Sequence, residues 1–180
     1  LIQQAIASDA PVLFFEPKRR YHAKGDVDEE AALQDARPMG TARVVAPGAD
    51  VTLVTYGGLV QLATDAALAA ADEGVSVEVI DLRSLSPLDL DTVAASVRKT
   101  GRLVVTHEAA LSGGLGAEIS ASITERCFYY LEHAPVRITG HDIPYPPARL
   151  EAAHLPDLDR ILDGIDRAMD RPNSLSGVDD

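Results

Sequence analysis

Short apolar runs alternate with longer amphipathic ones along most of this chain, and that alternation predicts its fold. Val51-Thr52-Leu53-Val54-Thr55-Tyr56 reads as a strand, closed by Gly57-Gly58. Residues 59–72 then repeat Leu62, Ala66 and Ala69 on one helical face and stop at Gly74. Val75-Ser76-Val77-Glu78-Val79-Ile80 predicts the next strand, and Ser86-Pro87-Leu88-Asp89 opens a helix carrying Leu90, Val93, Ala94 and Val97. A strand at Leu103-Val104-Val105-Thr106 is followed by Gly113-Gly114-Leu115-Gly116, which leads into a helix reaching about Arg126. Val136-Arg137-Ile138-Thr139 is another strand. After the proline-rich loop 144–147, a last amphipathic helix carries Leu158, Ile161, Leu162, Ile165 and Met169. Ahead of them all, Ala42-Arg43-Val44-Val45 is a short strand before the turn at Pro47-Gly48. Strands alternating with helices in this way predict βαβ units. The expected fold class is α/β, three layers with a mostly parallel sheet covered on both faces, over residues 41–170.

The two ends do not follow this rhythm. Leu1, Ile2, Ala5 and Ile6 look like the end of an amphipathic helix with no cap before it, and Asp9-Ala10-Pro11 breaks it. Val12-Leu13-Phe14-Phe15 then reads as a buried strand ended by Glu16-Pro17. One helix and one strand cannot make a core, so residues 1–16 are expected to belong to a preceding domain or to pack on the later strands and helices. Residues 17–40 mix Lys18, Arg19 and Arg20 with Asp26, Asp28, Glu29 and Glu30, and read as a linker. The tail, 171–180, is small and polar and is expected to be flexible.

Composition narrows the function. The chain has 180 residues, 46% hydrophobic and 24% charged, an ordinary globular balance that excludes a disulfide miniprotein or a collagen-like repeat. A formal charge of −12 opposes binding to nucleic acid or anionic membrane, because the phosphates would repel it. The lone cysteine, Cys127, permits no internal disulfide and suits a reducing, cytoplasmic setting, with a buried and inert thiol expected. No apolar run is long enough for a membrane span, and no segment reads as a signal peptide.

In a parallel sheet, ligands bind beyond the carboxyl ends of the strands. Three segments are expected there: Tyr56-Gly57-Gly58, His107-Glu108-Ala109 and Gly140-His141-Asp142. His107-Glu108 and His141-Asp142 have the residue types of acid–base pairs. Neighbours on a strand point to opposite faces, however, so interface or loop-fixing hydrogen bonds are favoured over catalysis. Spacing gives no zinc motif, and His22, His133 and His154 read as loop residues. The 113–116 glycines invite a phosphate-binding reading at a helix N-terminus, but Ile119 occupies the third glycine position of that fingerprint and Glu118 would repel a phosphate. Close helix–sheet packing is the favoured role for those glycines.

Several stretches taken together resemble one family. They are Pro11-Val12-Leu13-Phe14-Phe15-Glu16-Pro17-Lys18, Val51-Thr52-Leu53-Val54 and the long block Val79-Ile80-Asp81-Leu82-Arg83-Ser84-Leu85-Ser86-Pro87-Leu88-Asp89. Thr100-Gly101-Arg102-Leu103-Val104, His107-Glu108-Ala109, Gly113 through Ile119 and Gly140-His141-Asp142-Ile143-Pro144 continue the match to about Met169. The chain resembles the C-terminal half of the beta subunit of a thiamine diphosphate-dependent 2-oxo acid dehydrogenase, nearer the branched-chain type than the pyruvate type.

The resemblance implies a transketolase C-terminal-like domain at 41–170 and, in 1–16, the last helix and strand of a preceding pyrimidine-binding domain. It implies oxidoreductase activity in a complex that decarboxylates a 2-oxo acid and passes the acyl group to a lipoyl arm. The catalytic and cofactor-binding residues, for thiamine diphosphate and magnesium alike, would lie upstream or in the alpha subunit, so none is assigned here and the isolated segment is expected to be inactive. One family site falls inside the chain, a structural potassium ion at the positions of Ala5, Ser8 and Ala10. Ala10 offers only its backbone and Asp9 is displaced by one position, a departure that argues against a bound cation. Implied partners are the alpha subunit, a second beta subunit and a basic binding module of the lipoyl acyltransferase core. The cytoplasm of a bacterium, or the mitochondrial matrix of a eukaryote, is the implied location. Residues 151–180 hold eight acids against three arginines, which suits a basic partner. Interface candidates are His107, Glu108, His141, Asp142, Asp166 and Asp170. Two alternatives stay open: a pyruvate dehydrogenase beta subunit, and a free-standing small-ligand-binding α/β domain using the 107–116 loop.

Overall fold

The computed structural model describes residues 1–22, 24, 30 and 37–171, and the expected tail beyond 171 and most of the linker's second half lie outside them. Among the described residues, five strands form one sheet: β1 (Arg43–Ala46), β2 (Val51–Thr55), β3 (Val77–Asp81), β4 (Leu103–Ala110) and β5 (Val136–Gly140). Their order is β1-β3-β2-β4-β5. β3, β2, β4 and β5 run parallel, and β1 pairs antiparallel on β3 at one edge. The chain goes from β2 outward to β3 and then crosses back past β2 to reach β4. The sheet therefore reverses its winding between β2 and β4, and their carboxyl ends diverge at that point.

The α-helices described in full are α1 (Ile2–Ile6), α2 (Val60–Asp72), α3 (Leu90–Thr100), α4 (Leu115–Cys127), α5 (Glu151–His154) and α6 (Leu158–Ala168). α2 and α6 cover one face of the sheet and α3 and α4 the other, giving the three layers expected from the alternating pattern. Alternation along the strands explains the two cores. Val51, Leu53, Val79 and Val104 join Ala63, Ala66, Ile161 and Ile165 on the α2/α6 side. Val54, Ile80, Leu103 and Val105 join Val93, Val97, Ile119 and Ile123 on the other. Strands buried on both faces are rich in apolar residues, and β2 is buried at all five positions, with Thr52 and Thr55 set among Val51, Leu53 and Val54.

Local chemistry sets where the elements begin. Asp89 caps α3 by accepting the Thr92 N–H at 3.0 Å, and Gly101, at φ 71°, ends that helix in the left-handed region. Asp157 caps α6 in the same manner through the Arg160 N–H at 2.9 Å. Cys127 is buried as expected, with its Sγ 3.7 Å from the Ala94 carbonyl.

The N-terminal segment differs from expectation. α1 is present, but Val12–Phe15 forms no strand; it lacks ladder hydrogen bonds because no strand among the described residues lies alongside it. Its side chains stand in water, with Leu13 86%, Phe15 85% and Ile6 80% exposed.

Candidate functional site

His107 sits at the carboxyl end of β4, where the sheet reverses its winding, and is only 1% exposed. Its ring stacks near that of Tyr56, which follows β2, with centroids 6.0 Å apart. The Gly116 N–H in the first turn of α4 donates to His107 Nε2 at 3.0 Å, so this nitrogen carries no proton. The proton then resides on Nδ1, which donates to the Ala109 carbonyl at 3.1 Å. One neutral imidazole thus ties the end of β4 to the start of α4.

The glycines of 113–116 make that arrangement possible. A Cβ on Gly116 would lie 2.5 Å from His107 Nε2, and one on Gly114 would lie 2.3 Å from the Ala110 carbonyl oxygen. Gly113 serves the turn itself, at φ 71° with open space around it. The packing role expected for these glycines holds. The α4 amide that could have met a phosphate is taken by the histidine.

Burial is the main cause that pushes the His107 pKa below its ordinary 6.5, with the Arg137 charge adding to it. Unfolding returns the ring to water, where it takes up a proton at about pH 6.5. Between the lowered folded value and 6.5 the unfolded state binds more protons, so stability present above 6.5 is lost as the pH falls. Stability should decline as the pH falls below about 6.5, and His107→Gln should flatten that decline. Urea midpoints across this window test it; equal slopes for both proteins would remove His107 as the source.

The other candidates are distributed around this point. Asp142 accepts from the Ser112 N–H at 2.9 Å and from the Ser112 hydroxyl, latching the 111–114 loop to the end of β5. Those two bonds hold its carboxyl below the ordinary range. Arg137 braces the same loop, its Nη1 donating to the Leu111 carbonyl at 3.2 Å. Glu108 is half-buried, and its charge, after burial, helps to raise the Tyr56 pKa. His141 is exposed and meets His154 edge to face at 6.1 Å. Sequence reasoning placed His154 in a loop; instead it closes α5 and is 3% exposed, beside Gly140 and Tyr145. Its partner ring Tyr145 gave no sequence signal beyond the proline-rich run.

Asp166 and Asp170 lie at the far end of α6, away from this cluster. The Asp166 carbonyl accepts from the Met169 and Arg171 N–H groups, and Asp170, at φ 54°, stands 3.6 Å from His133 Nε2. Ala5, Ser8 and Ala10 form a local turn. The Ala5 carbonyl accepts the Ser8 N–H at 3.4 Å, and the Ser8 hydroxyl accepts the Ala10 N–H at 3.2 Å.

Diphosphate needs cations or free N–H groups, and magnesium needs converging oxygens. The crevice beyond β2 and β4 holds a neutral imidazole, a phenol and the anionic Glu108. Among the described residues no three His, Cys, Asp or Glu side chains converge on a metal position. These residues do not fit thiamine diphosphate with its metal. Their geometry suits fixing the loop between β4 and α4.

Residues 40–161 match the family model "Transketolase, C-terminal domain". The chain is 50% identical over 169 residues to the beta subunit of a pyruvate dehydrogenase from Leifsonia xyli, covering 94% of this chain and 49% of that one. It is also 50% identical over 173 residues to 3-methyl-2-oxobutanoate dehydrogenase subunit beta from Mycobacterium tuberculosis, covering 96% and 49%. The chain thus spans about half the length of the curated relatives it matches. Among solved structures, a split-gene transketolase described as an inactive beta4 tetramer superposes with a TM-score of 0.62 at 29% identity, covering 73% of this chain and 42% of that one. With the matched residues running from the last turn before β1 into α6, the chain belongs to the transketolase C-terminal domain family.

Proposed function

We propose that this chain acts within the beta subunit of a 2-oxo acid dehydrogenase of branched-chain type, as its assembly and docking part. The observation that carries the reading is the apolar run on residues 1–15. A fold that buries its other apolar strands leaves Ile6, Leu13 and Phe15 in water, and such a patch suits a covering protein surface. The similarity to beta subunits that are about twice as long supports the same reading. Residues 1–16 then pack as the end of a preceding pyrimidine-binding domain, against it and the neighbouring subunits. The alpha subunit and a second beta subunit are the proposed partners, and the acidic end of the chain suits a basic module of the acyltransferase core.

Thiamine diphosphate, bound elsewhere in the assembled enzyme, supplies the carbanion chemistry of decarboxylation. The residues of this chain fix loop and helix surfaces of the beta subunit, in the reducing cytoplasm that the lone Cys127 suits. A pyruvate-specific enzyme is the second reading, favoured by the equal 50% identity to a pyruvate dehydrogenase beta subunit.

Reconstitution tests both. A beta subunit carrying this segment, combined with an alpha subunit, thiamine diphosphate and magnesium, should decarboxylate 3-methyl-2-oxobutanoate in preference to pyruvate. The 180 residues alone should show no activity. Preference for pyruvate would select the second reading, and decarboxylation by the isolated chain would overturn the assembly role.

A further inference from the structure

The segment that enters the domain is held by one stretch of sequence, Asp81 to Asp89, through two side chains. Asp89 uses both carboxylate oxygens. Oδ1 accepts the Thr92 N–H at 3.0 Å and caps α3, while Oδ2 accepts the Ala42 N–H at 2.8 Å and the Thr92 hydroxyl at 2.6 Å. Arg83 sits at φ 57°, in the left-handed region that favours glycine. Its N–H donates to Asp81 Oδ1 at 3.0 Å, and its Nη1 reaches the Thr41 carbonyl at 3.1 Å. Gly40, at φ 83°, lies against Pro87, where a Cβ would stand 3.0 Å from the ring. Upstream, the Gln4 side-chain amide donates to the Arg37 carbonyl at 2.5 Å, so α1 is tied to the same segment.

We infer that Arg83 and Asp89 form a clasp, two positioning residues that fix the direction in which the segment before Ala42 leaves the domain. Two features separate this from plain fold maintenance. Glycine would adopt φ 57° without strain, so an arginine there is explained by what its side chain reaches. Serine would cap α3 with a single oxygen, whereas the second carboxylate oxygen of Asp89 reaches Ala42 as well as the Thr92 hydroxyl. The clasp thereby sets how the apolar face of residues 1–15 is presented. It goes beyond the functional reading, because it holds whichever 2-oxo acid the enzyme takes and can be tested without a partner.

Amide hydrogen exchange on the full 180-residue chain tests it, using Asp89→Ser, Arg83→Gly and Arg83→Lys. Serine keeps the cap and glycine keeps the turn, so both variants should fold. Exchange at Ala42 and across 37–42 should accelerate at least about tenfold in both, with β2 and β4 unchanged. Arg83→Lys still offers a donor to Thr41 and should keep exchange slow. Unchanged exchange at 37–42 in both variants would overturn the clasp. So would acceleration that spreads equally through β2 and β4, since it would make the pair ordinary fold residues.

Discussion

Replacing Gly116 with alanine is expected to lower the stability of the domain by about 2–4 kcal/mol. Helix propensity alone gives the opposite sign, because alanine is better than glycine in a helix by about 1 kcal/mol. Sterics decide the outcome. The new Cβ would lie 2.5 Å from His107 Nε2 and 2.9 Å from Cδ2, on a ring held on its other side by the Ala109 carbonyl. Overpacking of this kind costs about 1–3 kcal/mol, and pushing the ring aside leaves a buried N–H without its acceptor for about 1–3 more. The midpoint should fall by roughly 5–15 °C for a chain of this size. Gly113→Ala is the comparison. It meets open space and loses only the left-handed backbone preference, for about 1 kcal/mol. Urea denaturation of both variants measures the difference. A Gly116→Ala protein at or above wild-type stability would mean that the histidine frame yields freely.

The double change Leu13→Ser with Phe15→Ser should act on association and hardly at all on folding. Both side chains are more than four-fifths exposed, so removing them should alter stability by no more than about 0.5 kcal/mol. If they anchor the proposed subunit interface, their loss should weaken binding to the alpha-containing assembly by about 2 kcal/mol or more, roughly thirtyfold. Sedimentation of the beta subunit carrying these changes, with and without its alpha partner, reads this directly. Undiminished assembly would show that another surface holds the subunits together.

The sheet was legible from its pattern because β2 and β4 open on apolar-rich runs, Val51-Thr52-Leu53-Val54 and Leu103-Val104-Val105, the signature of strands covered on both faces. Asp89 and Gly101 mark the ends of α3 by chemistry that acts within one helical turn. Elements defined by distant partners were harder to read. Val12–Phe15 has strand composition, yet a strand also needs a neighbour to complete its ladder, and composition carries no information about one. At the site, the packing role of Gly114 and Gly116 followed from the broken fingerprint around them. The Ser112–Asp142 latch did not, since it joins residues 30 positions apart in two loops. His154 was missed for a related reason: α5 is a single turn, too short to leave a periodic trace.

The antiparallel strand at the sheet edge bears on solubility during synthesis. β1 has four residues, and its register against β3 slips between Val44 and Ala46, leaving Val45 as an extra residue in the ladder. A short, bulged edge that begins at Arg43 is a poor template for strand addition by another copy. Without β1, the Val77–Asp81 edge would stand open: regular, with Val77, Val79 and Ile80 along it, and ready to pair. A chain that already shows Leu13 and Phe15 to water has particular need of such a guard, and unpairing β1 from β3 should make it aggregate more readily.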